Sequence, residues 1–325
     1  MNNVTINPIS QSKHLWTVAV IVAFLFVAAS RAMAQGVTVY NSIPKPLPGN
    51  VASIDVWGRG ELGDGLYLTL PGGTLDQVRV VLSSWACEQG SWGSGCVSTP
   101  GDTFAVPITL NIYGVTYGTG DVPSPTAPAL GTLTQTFNIP YRPSADPTHC
   151  PSTPTKWYDK KDNTCYNGLA VPIEFDLWNL DVQIPAIQRI IVTVVWNSTF
   201  YGPEPIGTSA ACYGTAAGCP YDSLNVGTEG NGPTGILFGA GDILDWNGIF
   251  INLINNANSC NGSGPGGVEP VPPDAYGVLA LNTLASSPCW AGYHPLISVT
   301  AVPATPPPFP PPPPRRHHGS HSHPQ

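Results

Sequence analysis

Glu174 and Asp176 stand two residues apart in the stretch 171–180, where Ile173, Phe175 and Leu177 alternate with them. Side chains at i and i+2 of a strand share one face. The alternation therefore groups Glu174, Asp176 and Trp178 opposite an apolar row. Two carboxylates at that spacing can perturb each other's ionisation and divide acid and nucleophile work between them. The indole of Trp178 offers a flat surface on which a sugar ring can stack. Glu174 and Asp176 are thus the candidate catalytic pair, with Trp178 as a candidate ligand contact.

A second group lies at 156–163. Trp157 and Tyr158 on a loop are candidate recognition residues. Asp159, Asp162 and Asn163 carry oxygens of the kind calcium takes, although their spacing is not that of an EF-hand loop. Calcium is the one cofactor these residues suggest; the default is a charged, solvated loop. Histidine chemistry has few candidates, because His149 and His294 are the only histidines between residue 35 and the C-terminal tail. No Gly-x-Ser-x-Gly elbow, phosphate-binding glycine loop or His-Glu-x-x-His pattern occurs.

These side chains need a scaffold, and the cysteines help define it. Eight are present, at Cys87, Cys96, Cys150, Cys165, Cys212, Cys219, Cys260 and Cys289, with no C-x-x-C pair among them. An even count in an oxidising compartment reads as disulfides. The grouping into near neighbours predicts sequential pairing: Cys87–Cys96, Cys150–Cys165, Cys212–Cys219 and Cys260–Cys289. Loops of that size restrict the unfolded chain by roughly 2–4 kcal/mol each in the chain-entropy model.

Strand signals recur from Val37 to Val302, closed by Gly, Pro or Asn, and helix signals are nearly absent. Residues 65–70 and 76–85 read as a hairpin across Gly72-Gly73. Residues 106–113 and 131–139 alternate cleanly, and 188–196 is apolar on both faces, which predicts a central strand. Residues 241–257 fit neither period. The pattern predicts an all-β fold, an antiparallel β-sandwich of jelly-roll or immunoglobulin-like type with long disulfide-stapled loops. Two sandwiches, broken near Cys212–Cys219, are the alternative.

The apolar run 15–29 followed by Ala32-Met33-Ala34 has the order of a secretory signal. Cleavage near Ala34 is expected, leaving a domain over 35–302 and no transmembrane segment in the mature chain. Losing Lys13 and Arg31 takes the formal charge from −8 to −10. Such a chain repels phosphate backbones, which argues against nucleic acid as a partner. Residues 303–325 form a tail, a proline block followed by His317, His318, His321 and His323. The block predicts an extended rod and the histidines a solvated end, with transition-metal chelation as the second reading.

The segment Glu174-Phe175-Asp176-Leu177 resembles the Glu-x-Asp-x-Glu strand of the laminarinase-like jelly-roll glycosidases. In that family the two Glu act as nucleophile and general acid. Here Trp178 occupies the second Glu position, so the resemblance implies a site lacking one partner of the retaining mechanism. The domain also resembles exported bacterial proteins of unassigned function. That likeness rests on Val39-Tyr40-Asn41-Ser42-Ile43-Pro44, Phe137-Asn138-Ile139-Pro140-Tyr141-Arg142-Pro143 and Asp222-Ser223-Leu224-Asn225-Val226. It implies export and a β-sandwich and carries no activity. The sequence thus leads to a secreted or cell-surface structural or binding module, with an extracellular glycan or wall component as candidate partner. A carbohydrate-active hydrolase using Glu174 and Asp176 is the alternative.

Overall fold

The computed structural model of the protein describes residues 36–54, 59–196, 223–229, 240–245, 248–253, 279–283 and 292–304. Among them every regular element is a strand, and the strands form two large antiparallel sheets and two small ribbons. The six-stranded sheet contains Val37–Asn41 (β1), Ala52–Ile54 (β2), Gly73–Ser84 (β4), Leu169–Asp176 (β12), Leu224–Thr228 (β14) and Ile297–Pro303 (β18). Its order is β1-β18-β4-β14-β2, with β12 also on β4. Val80 pairs with Ile297 and with Ile173, so β18 and β12 flank opposite edges of β4.

The eight-stranded sheet contains Arg59–Tyr67 (β3), Thr103–Tyr117 (β7), Pro123–Pro125 (β8), Gly131–Pro140 (β9), Arg189–Val195 (β13), Asp242–Ile243 (β15), Gly248–Leu253 (β16) and Ala280–Thr283 (β17). Its order is β17-β16-β3-β13-β7-β8, with β15 on β3 and β9 on β7. The ribbons pair Gln89–Ser91 (β5) with Ser94–Val97 (β6), and Trp157–Asp159 (β10) with Thr164–Tyr166 (β11).

Local sequence explains most of this. The β-branched run of β13 is buried on both faces between β3 and β7, the central position its composition predicts. In β9, Thr132, Thr134 and Thr136 are exposed while Ile139 is buried. The inward rows of both sheets meet in one apolar cluster that includes Val78, Val80, Phe175 and Val299 from one and Leu62, Leu110, Val192 and Ile251 from the other. Phe137 of β9 packs edge-on against Phe175 of β12, with ring centroids 4.9 Å apart, so the sheets touch directly. Each large side chain buried this way contributes about 1.5–3 kcal/mol.

The hairpin expected of 65–70 and 76–85 does not form: β3 and β4 lie in different sheets. Both strands carry an apolar row, and in a hairpin the two rows would lie side by side on one face. Crossing between the sheets lets Leu62 and Leu66 share an interior with Val78 and Val80. Gly73, with φ of 131°, takes the backbone through the crossing in a conformation that L side chains rarely adopt. Residues 241–257, ambiguous by period, supply β15 and β16.

Two of the expected disulfides are present. Cys87–Cys96 closes the β5–β6 ribbon and Cys150–Cys165 closes the loop that carries β10, with Cα–Cα distances of 5.5 and 6.0 Å. Cys212, Cys219, Cys260 and Cys289 lie outside the described residues, as do the expected signal segment 1–34, the tail from residue 305 and Asp222. No helix among the described residues is long and apolar enough to cross a membrane.

Candidate functional site

Register places the first candidate residues on the outward face of the six-stranded sheet. Ile173 and Phe175 point inward and are buried, leaving Glu174 half-buried and Asp176 exposed on the other side. Glu174 lies opposite Arg79 of β4, Arg79 opposite Ser298 of β18, and Ser298 opposite Asn41 of β1. A second row runs Asp176, Gln77, Thr300, Thr38 in the same strand order. The sheet therefore presents two parallel polar rows, each crossing four strands.

Within the first row, Arg79 holds Glu174. Its Nε and Nη2 donate to Glu174 Oε2 at 3.1 and 2.5 Å. Both side chains are substantially exposed, so the pair orients the carboxylate more than it stabilises the fold. In the second row, Asp176 Oδ1 accepts from the backbone of Trp178 at 3.4 Å, and Trp178 remains 56% exposed. Glu174 and Asp176 thus share one outward face of β12, and the strand ends there, which leaves exposed Trp178 in the turn that follows.

The chain after β1 folds over this face. Ile43, Leu47 and Val51 pack on Val81, Leu296 and Ala170, an apolar strip beside the Arg79 row. The Ala170 amide donates to Gly49 O at 2.9 Å, and Ser83 Oγ meets Asn50 Oδ1 at 2.7 Å. These contacts fasten the strap and set exposed Lys45 beside the polar rows. Thr38, Asn41, Ile43, Lys45, Arg79, Ala240 and Ser298 line a cleft of about 310 Å³ there. Its far wall is held by the Asn41 amide donating to Ala240 O at 2.8 Å.

The 156–163 loop is occupied by its own hydrogen bonds. Trp157 is buried at 6% exposure and its Nε1 donates to Gly168 O at 2.7 Å, so its ring packs inward rather than meeting solvent. Tyr158 stacks on His149, and its hydroxyl donates to Asn163 Oδ1 at 2.8 Å. Asp159 Oδ1 accepts from the Lys161 amide at 2.9 Å; Asp162 accepts from the Thr164 amide at 3.1 Å and from the Tyr166 hydroxyl at 2.5 Å. The Asp162 carboxylate and burial push the Tyr166 phenol up to about 12. Each of the three candidate calcium ligands thus accepts a hydrogen bond within the loop, Asp159 and Asp162 from turn amides and Asn163 from the Tyr158 hydroxyl. Among the described residues no group of three or more His, Cys, Asp or Glu is placed to hold a metal ion.

A third arrangement, which the sequence did not single out, lies between the sheets. Asp64 takes an inward position of β3, and its Oδ2 is 2.8 Å from His294 Nδ1, with both side chains 1% exposed. Asp64 Oδ1 accepts from the Gly65 amide at 2.8 Å. Burial raises the Asp64 carboxyl above the usual aspartate range, opposed by His294 and the Gly65 bond and reinforced by Asp245. Burial likewise raises Glu229 and Tyr40, and the Asp64 charge adds to both. The Tyr40 hydroxyl is buried with no hydrogen-bond partner of good geometry among the described residues.

Lys45, Arg79 and Ser298 also escaped the sequence reading. Arg79 alternates with the buried Val78 and Val80 and so faces outward, but the strand it meets is set by pairing between segments 95 residues apart. No protein-family model, curated protein or solved structure matches this chain. The geometry of its own residues is therefore what a functional reading rests on.

Proposed function

We propose that this chain is an exported β-sandwich module that binds an extracellular glycan on the outward face of its six-stranded sheet. The observation that carries the reading is the cleft of about 310 Å³ beside two cross-strand polar rows. Hydroxyl, amide and cationic groups on a rigid sheet match the alternating hydroxyls of a sugar chain, and the volume falls at the small end of the range for ligand sites, about 300–1,000 Å³. The exposed Trp178 beside Asp176 adds a stacking surface. Two disulfides and an acidic, Lys/Arg-poor composition suit an oxidising space outside the cytosol.

The hydrolase reading has one observation in its favour: Glu174 and Asp176 share an outward face of β12, with exposed Trp178 in the turn that follows. Against it, the Arg79 guanidinium engages Glu174, and Trp178 stands where the two-carboxylate scheme requires an acid. A glycan array followed by a reducing-sugar assay separates the two. Retention without release, weakened by Thr38→Asp, supports the binding module. Turnover that disappears in Glu174→Gln supports the hydrolase.

A further inference from the structure

Two cations border the cleft, Lys45 from the strap and Arg79 from β4, and no carboxylate is among its described lining residues. This runs against the composition of the chain, whose 20 acids outnumber its 12 Lys and Arg. Lys45 makes no ion pair among the described residues. Arg79 spends Nε and Nη2 on the same oxygen, Oε2 of Glu174, and its Nη1 makes no hydrogen bond among the described residues. A guanidinium has five donors arranged to clasp a carboxylate through two of them, and an ammonium adds a point charge without fixed direction.

Resting on the glycan-binding reading, we infer that the ligand of this cleft is an acidic glycan, one whose sugar rings carry carboxylates, and that Glu174 is the internal competitor for Arg79. The ligand carboxylate takes the free side of Arg79 and the Lys45 ammonium. Thr38 and Ser298 meet the ring hydroxyls, while Asn41, buried and bonded through its side chain to the Ile43 backbone, forms the floor. Glu174 sits one strand beyond, outside the cleft lining, and its charge opposes the incoming anion while its hydrogen bonds hold the guanidinium in place. The pair is exposed, so loosening it costs the fold little.

The test uses a short polyuronate oligomer and the same oligomer after reduction of its carboxylates to neutral alcohols, titrated into the mature protein by calorimetry at low and high salt. The acidic oligomer binds the more tightly and weakens as salt rises, because exposed charges are screened. Lys45→Gln weakens it roughly tenfold and Glu174→Gln strengthens it by about threefold, magnitudes ordinary for single charges at a binding rim. The neutral oligomer responds to neither substitution. Thr38→Asp, which places a carboxylate in the cleft from another strand, weakens the acidic oligomer as well and serves if Lys45→Gln fails to fold. Equal binding of both oligomers, or indifference of the acidic one to Lys45→Gln and Thr38→Asp, overturns the inference and leaves the glycan reading standing. Absence of binding by either oligomer, with no glycan retained on the array, overturns both.

Discussion

Asp64 and His294, separated by 230 positions in the chain, meet at 2.8 Å between the two sheets with almost none of either side chain exposed. An ionisable pair among apolar side chains is a costly way to fill an interior, because desolvation competes with the attraction between the partners. At Asp64 desolvation wins, since its carboxyl lies above the usual range in spite of His294.

That imbalance sets a pH dependence. An acid whose folded pKa is raised binds its proton more tightly in the folded than in the unfolded chain. The stability it contributes is present at low pH and is lost as pH rises from about 4 through the folded pKa. Asp64→Asn removes this slope. Urea midpoints measured from pH 4 to 7 should show the variant gaining on the parent protein as pH rises; a constant difference, or drift the other way, would refute the burial argument.

Tyr40 carries a simpler prediction. Its ring fills the interior, but its hydroxyl is buried without a hydrogen-bond partner of good geometry among the described residues. Deleting an unsatisfied polar group should raise stability by about 1 kcal/mol, so Tyr40→Phe unfolds at higher denaturant. Above about pH 10 the gap widens, because an unfolded tyrosine ionises there while the buried phenol resists. A Phe variant less stable than the parent at neutral pH would mean that the hydroxyl has a partner of consequence.

Arg142 is fully buried, with Nη2 donating to Thr155 O at 2.7 Å and Nε to Pro143 O at 3.2 Å. It makes no ion pair among the described residues, and desolvation pulls its pKa down to about 10. It ties the Cys150–Cys165 loop to the end of β9. Arg142→Ala opens a cavity and strips two carbonyls of their donors, a loss of about 2–4 kcal/mol. Arg142→Met keeps the volume and removes the buried charge, so it should cost distinctly less. Chemical denaturation with the disulfides intact measures both, and equal losses would contradict the account.

Much of the scaffold was legible because its signals are local. The alternation in β9 and β12, the two-sided apolar run of β13 and the close spacing of Cys87–Cys96 and Cys150–Cys165 all act over a few residues. What alternation alone does not carry is the identity of a neighbour across a sheet. The apolar row of β4 was read correctly and the strand at 65–70 overlaps β3 only at 65–67, and the assignment of the two to one hairpin failed, because it depends on which interior surface remains uncovered. Arg79 against Glu174 and Asp64 against His294 are settings of the same kind. Trp157 and Tyr158 differ in exposure only through the orientation of a three-residue ribbon strand. The outward placement of Glu174 and Asp176 was visible, while Lys45 reaches the site on a strap whose anchors, Ile43, Leu47 and Val51, lie outside any strand.

Backbone amide NMR of residues 35–325 during titration with polysaccharide fragments tests the location of the proposed binding face without assuming a ligand charge. Shift changes confined to Thr38, Asn41, Lys45, Arg79 and Ser298 are the predicted result. Changes that instead map to the outward face of the eight-stranded sheet or to the β5–β6 ribbon, or a spectrum unmoved by every fragment, would contradict it.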